Sequence, residues 1–184
     1  MYQSLASLLA AVLFAATLGV STPASAADPS DIGVVEVQLI MREALAGKSI
    51  QVQIESTRSS YEAAVLAEET RLRDLEQELV RQRSLLAPEA FADKRREFEN
   101  QVATHKRDVR ARRRTLDQAY SVGVRQIQQA VTEIIAKIAE QRNLMVVVPA
   151  SQILFANPAL VITNDVLSEL DEKLPDVTLD FSLN

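Results

Sequence analysis

The sequence predicts an α+β fold that is mostly α: a long antiparallel coiled-coil helical hairpin projecting from a small β-strand head that oligomerises. Three observations predict it. Residues 42–142 read as helix almost throughout and are interrupted by a single proline, Pro88. Two short β-like stretches, 32–38 and 144–149, frame that run. The flanks outside the hairpin are too short to bury a core of their own, so neighbouring copies must complete it.

The chain opens on a leader. Residues 5–20 are apolar except for Ser7, Thr17 and Gly19, and Pro23 precedes Ala24-Ser25-Ala26, the small-x-small form of a signal-peptidase site. The apolar run is shorter than the roughly 20 residues a spanning helix needs. Residues 1–26 are therefore expected to be a signal peptide, cleaved between Ala26 and Ala27. No Lys or Arg precedes the run, so the amino terminus alone supplies the usual positive charge. All charged residues follow the leader, and the processed chain keeps the net charge of −5.

Residues 32–38 (IGVVEVQ) are β-branched and partly alternating, which reads as a strand with Ile32, Val34, Val35 and Val37 as its apolar positions. Residues 39–46 open a short helix, with Gly47 as its weak point. Residues 48–86 then contain neither Gly nor Pro, and Val65, Leu72, Leu79 and Leu86 recur every seven residues. Tyr61 and Leu75 take the interleaved positions, while Glu68 and Gln82 leave the seam only partly apolar. The turn is expected near 84–88. Proline disfavours helical angles at Ala87 and suits the first turn of a new helix, where Glu89 meets the positive end of the dipole.

The second helix is expected over 88–142, about 80 Å at 1.5 Å per residue. Phe91, Phe98, Val102, Val109 and Leu116 carry its stripe, which becomes denser through Val124, Ile127, Val131, Ile134, Ile135 and Ile138. His105 and Arg112 stand where a tight seam would hold leucine. This pattern implies a well-packed base and a loosely packed outer arm.

Asn143 suits a left-handed cap. Residues 144–148 (LMVVV) read as a strand buried on both faces, with Val146, Val147 and Val148 at its centre, and residues 153–156 as a third strand. Thr163 is placed to cap a last helix, 164–174, which Pro175 stops. Residues 177–181 alternate like an edge strand. The domain organisation that follows is a leader at 1–26, an oligomerisation head from 27–41 and 143–184, and a hairpin arm at 42–142.

Chemistry is scarce. The chain has no cysteine and one histidine, and its four glycines are too scattered to cradle a phosphate. No Asp/Glu/His set stands at ligand spacing around His105. The reading is no enzyme, no metal and no cofactor.

Charge is unevenly distributed. The hairpin holds 19 Lys/Arg against 16 Asp/Glu, whereas the flanks hold Lys173 against nine acids. The basic density lies at Lys94, Arg95, Arg96, Lys106, Arg107, Arg110, Arg112, Arg113 and Arg114. One reading is a solvated helix surface balanced by Glu68, Glu69, Asp74, Glu76 and Glu78 of the first helix. The other is a positive surface for an acidic polypeptide or an anionic lipid surface. Nucleic acid is not expected, because a chain with pI near 5.0 and 4% aromatics lacks the overall basicity and the stacking residues.

Several phrases, taken in order, resemble the Skp (OmpH) family of periplasmic chaperones. They are residues 32–38, the phrase LAPEAF at 86–91 followed by KRREF at 94–98, IAEQRNL at 138–144 leading into Val146-Val147-Val148, and ITNDVL at 162–167. The resemblance spans essentially the whole chain after the leader. It implies a homotrimer with a β-barrel-like body and three helical arms around a cavity. It also implies a periplasmic, ATP-independent holdase for unfolded outer-membrane β-barrel proteins. The best-known members are strongly basic. Here positive charge is confined to the hairpin, which shifts weight onto flexible arms and apolar patches. A coiled-coil adaptor or spacer in the cell envelope, binding one folded partner, is the alternative reading.

Overall fold

The computed structural model describes residues 32–182. The leader, with Ala26 and Ala27, lies outside them. The chain is mostly helical, with two long helices and a small strand head. In order it forms β1 (Ile32–Val35), α1 (Val37–Glu43), α2 (Leu45–Gln82), α3 (Pro88–Arg142), β2 (Val146–Pro149) and α4 (Thr163–Lys173). Two 3-10 turns, Ala150–Gln152 and Pro158–Leu160, lie between β2 and α4.

The hairpin follows from its sequence. Ala87 is extended at φ −61, ψ 147, and Pro88 opens α3 with Glu89 in the first turn. Residues 83–87 make the turn between α2 and α3. Asn143 adopts the left-handed conformation at φ 55, ψ 38, and the Leu144 N–H returns to the Ala139 carbonyl at 2.8 Å, which closes the last turn of α3. Leu72 is buried and the other seam leucines and valines are half-buried, so the sevenfold stripe does face the partner helix.

The structure differs from the sequence expectation in six places, some of them decided by a partner distant in sequence. β1 ends at Val35, and Val37 is the first residue of α1, not a strand residue. β1 pairs in parallel with β2, and Val35 stands opposite Pro149, which has no N–H to continue the ladder. The next amide, Glu36 N–H, instead donates to Thr163 Oγ1 at 2.9 Å. That bond also explains why Thr163 does not cap α4 with its side chain. It is the first residue of that helix, and its hydroxyl is spent on the strand–helix junction.

The break between the first two helices falls at Ala44 (φ −57, ψ 142), not at Gly47. Leu45 N–H at the start of α2 donates to Asp171 of α4 at 2.8 Å. Gly47 continues the helix because α1 turns back against it: a Cβ there would stand 2.2 Å from the Met41 carbonyl oxygen.

β2 is not buried on both faces, since Val146 is 50% exposed and Val147 and Val148 are half-buried. Residues 153–156 form no strand. Residues 177–181 are extended but belong to no sheet. The sheet has two strands, and Val161 adds an isolated bridge to Val34 on the other side of β1.

The core lies where head and arm meet. Ile40, Ile127, Ile138, Ile162, Val166 and Leu170 are fully buried there, joined by Ile50, Val131 and Ile134. α4 is pinned to α3 by Lys137–Glu169 at 2.8 Å, Arg142–Asp165 at 2.9 Å and Lys173–Glu133. These pairs are half-exposed, so they orient the helix more than they stabilise it.

Candidate functional site

Two features remain once the core is accounted for: the outer arm and the exposed apolar residues of the head. Between Tyr61 and Leu116, Leu72 is the one buried seam residue among those described. The helices part there into an open groove of about 560 Å³, lined by Val65, Glu68, Arg71, Thr104, His105 and Arg112 among others. His105 has only 13% of its side chain exposed and stands 4.0 Å from Glu69 across the seam. Arg112 lies over the Tyr61 ring at 5.0 Å, a cation–π contact that occupies its guanidinium. Polar seam residues thus keep the arm together with few apolar contacts, which is a low-stability construction.

The basic residues divide by neighbour. Arg95 pairs with Glu99 and Arg96 with Asp93, both at 3.4 Å within α3. Arg107 bonds Thr104 and the Ala103 carbonyl of its own helix. Lys94, Lys106, Arg110, Arg113 and Arg114 have no ion pair among the described residues. Lys106, Arg110 and Arg113 are spaced i, i+4, i+7, and Arg107, Arg110 and Arg114 are spaced i, i+3, i+7, so they share one side of α3.

The acids of α2 do not neutralise this stripe. Glu68 pairs with Arg71 and Glu78 with Arg81, both at 2.7 Å within α2. Hydrogen bonds from those arginines hold the Glu68 and Glu78 carboxyls below their ordinary range, and the same bond raises Arg71. The structure therefore separates Arg112, which is engaged inside the seam, from an outward row of Lys106, Arg110, Arg113 and Arg114 that has no ion-pair partner among the described residues.

On the head, Met145 (80%) and Phe155 (85%) are largely exposed, Leu154 is fully exposed, and Ile32, Val146 and Val161 are partly so. Of the strand residues singled out in the sequence, Val34 and Val35 are spent inside the chain's own core, and Val147 and Val148 are half-buried. Of these, only Ile32 and Val146 are exposed. Met145, Leu154, Phe155 and Val161 are exposed as well and were not singled out. The signal for two of them was present in the apolar stretch 153–156, whose exposure no periodicity reveals.

No group of three or more His, Asp or Glu that could hold a metal occurs among the described residues. No described helix is long and apolar enough to cross a membrane.

A family model described as outer membrane protein (OmpH-like) matches residues 31–170. Among solved structures, the chain is similar to a protein from Caulobacter crescentus CB15 described as a candidate outer membrane chaperone (OmpH-like). That superposition has a TM-score of 0.76 at 17% identity, covering 82% of this chain and 89% of the other. At that identity the likeness establishes the shared fold. A search of curated proteins found no match. The family match spans most of the chain, including both strands, the whole hairpin and most of α4, and the chain accordingly belongs to the OmpH-like outer membrane protein family.

Proposed function

We propose that this protein is an ATP-independent periplasmic holdase chaperone. In this reading it captures unfolded outer-membrane β-barrel proteins in a cavity between helical arms and keeps them soluble in transit. Leader cleavage between Ala26 and Ala27 leaves a head of residues 27–41 and 143–184 and an arm of residues 42–142. Three copies associate through their heads into a β-barrel-like body from which the arms project. Family membership and the likeness to an OmpH-like candidate chaperone support the chaperone role.

The observation that carries the reading is the contrast within one chain: a dense core at the base, a thinly packed arm, and apolar residues on the head that no described residue covers. Exposed Leu154, Phe155, Met145 and Val146, on a head whose β2 strand keeps an unpaired outer edge among the described residues, favour association. Arms held by polar seams can adjust to clients of different size.

Binding then rests on many weak contacts. The outward row of Lys106, Arg110, Arg113 and Arg114 attracts acidic segments, while enclosure raises the local concentration at which each contact re-forms. Anionic lipid headgroups would meet the same row. Release needs no chemistry; folding of the client competes with the diffuse contacts.

The test is light scattering from an unfolded β-barrel membrane protein diluted from denaturant with and without the chain beginning at Ala27. Suppressed scattering at stoichiometric chaperone, without nucleotide, is the expected result. Unchanged scattering, together with saturable binding to one native envelope protein, would replace this reading with the adaptor.

A further inference from the structure

Beyond Pro175, residues 176–182 run along the base of the hairpin in extended form. Val177 and Leu179 are buried and Phe181 packs against the same core, while Thr178, Asp180 and Ser182 face solvent. This segment is held as a strand is held, but by one side chain. Gln53 Nε2 donates to the Val177 carbonyl at 2.6 Å, and Leu179 N–H donates to Gln53 Oε1 at 3.0 Å. The carboxamide thereby supplies the acceptor and donor that a neighbouring β-strand would offer. Tyr61 Oη donates a further, longer bond to the Phe181 carbonyl at 3.4 Å.

The dimensions agree with full extension. Along α2, Gln53 to Tyr61 rises about 12 Å, and the four steps from Val177 to Phe181 reach about 13 Å as a strand. The floor is cut to fit. At Gly123 on α3 a Cβ would stand 2.6 Å from Leu179 Cδ2 and 2.8 Å from Ile50 Cδ1, so glycine is what makes the socket. Alongside, Asp180 and Ser182 border an open groove of about 300 Å³ with Arg114, Thr115, Gln118 and Val122.

Nothing in this cradle reads a specific sequence. Its polar contacts are to main chain, and its sockets take every second side chain if that side chain is apolar. That is the pattern of a membrane β-strand, which alternates apolar and polar residues with period two. The geometry points to the trough between Gln53, Tyr61 and Gly123 as a binding site for an extended polypeptide with alternating apolar residues. The chain's own tail is its resident competitor. That the natural occupant is a β-barrel strand rests on the holdase reading above.

The tail competes from an effective concentration in the millimolar range, so an external strand binds well only when the tail is released. Leu179→Asp, which sets a charge against the Gly123 floor, releases it in the full chain. A chain ending at Leu174 releases it by removal. Circular dichroism checks that each is folded. The probe is a fluorescent peptide with the sequence of residues 175–182, read by anisotropy.

Both released forms should bind the peptide at least tenfold more tightly than the unaltered chain. A shuffled peptide without alternation should not bind. Adding Gln53→Ala to the released chain should weaken binding about tenfold. An unlabelled alternating strand from a β-barrel membrane protein should displace the probe. Folded, released chains that ignore the tail peptide would overturn the inference. So would tail-peptide binding that no barrel strand displaces, since the trough would then be only the tail's own seat. Displacement without any suppression of aggregation would uphold the trough and sink the holdase reading instead.

Discussion

Ile127→Ala tests where the stability of this chain resides. Ile127 lies on α3 at the junction of arm and head, is fully buried, and shares a cluster with Ile50, Val131 and Ile134. The change removes three carbons, worth about 0.8 kcal/mol each in transfer alone. The cavity left in a region that cannot collapse adds to this, within the roughly 2–5 kcal/mol range for such truncations. About 3 kcal/mol is expected, or a fall of about 6–12 °C in Tm for a chain of this size.

Leu72→Ala is the matched control in the outer arm. Leu72 is buried, but the neighbouring seam residues are half-exposed and the groove beside it is open, so the gap can close or fill with water. About 2 kcal/mol is expected there, at the low end of the same range. Denaturant unfolding followed by helical circular dichroism measures both, at one fixed protein concentration because association is linked to stability. Equal losses at the two sites, or a larger loss at Leu72, would refute the division into firm base and loose arm.

Three further predictions follow the same reasoning. Thr163→Val strands the Glu36 N–H at a part-buried junction, and should cost about 1 kcal/mol in the same unfolding assay. Leu154→Asp with Phe155→Asp should abolish association in light scattering while leaving helicity unchanged, because both side chains already face water within the single chain. Glu68 and Glu78 are held below their ordinary value of 4.5 by Arg71 and Arg81. A depressed carboxyl stabilises above its unfolded pKa and loses that contribution as pH falls through the folded one, so melting scans should show the arm loosening below about pH 4.5 and no change from this source between pH 6 and 8.

The hairpin was legible because its signals are local and repeated. A sevenfold apolar series, a proline in the first turn and an asparagine cap each act within a few residues of themselves. The loosely packed arm was legible for the same reason, since His105 and Arg112 interrupt the series where they stand.

The head was not legible, because its short segments answer to partners far away. Residues 36–38 look like strand until Pro149 ends the ladder and Thr163, 127 residues distant, takes the Glu36 amide. Residues 153–156 look like a third strand, yet they pair with no strand among the described residues, and Leu154 and Phe155 stand exposed. The basic cluster was readable as charge but not as geometry. Only the fold shows that Arg112 is turned onto Tyr61 while Lys106, Arg110 and Arg113 face outward. Gln53 gave no signal at all, since a glutamine on a helix looks the same whether it meets water or clasps a backbone.

The proposed holdase requires a chain that is incomplete alone. Small-angle scattering with in-line light scattering, on the chain beginning at Ala27, measures this directly. A particle of three chain masses, with a maximum dimension of about 80 Å or more set by the length of α3, is the predicted result. A compact particle of one chain mass would contradict it.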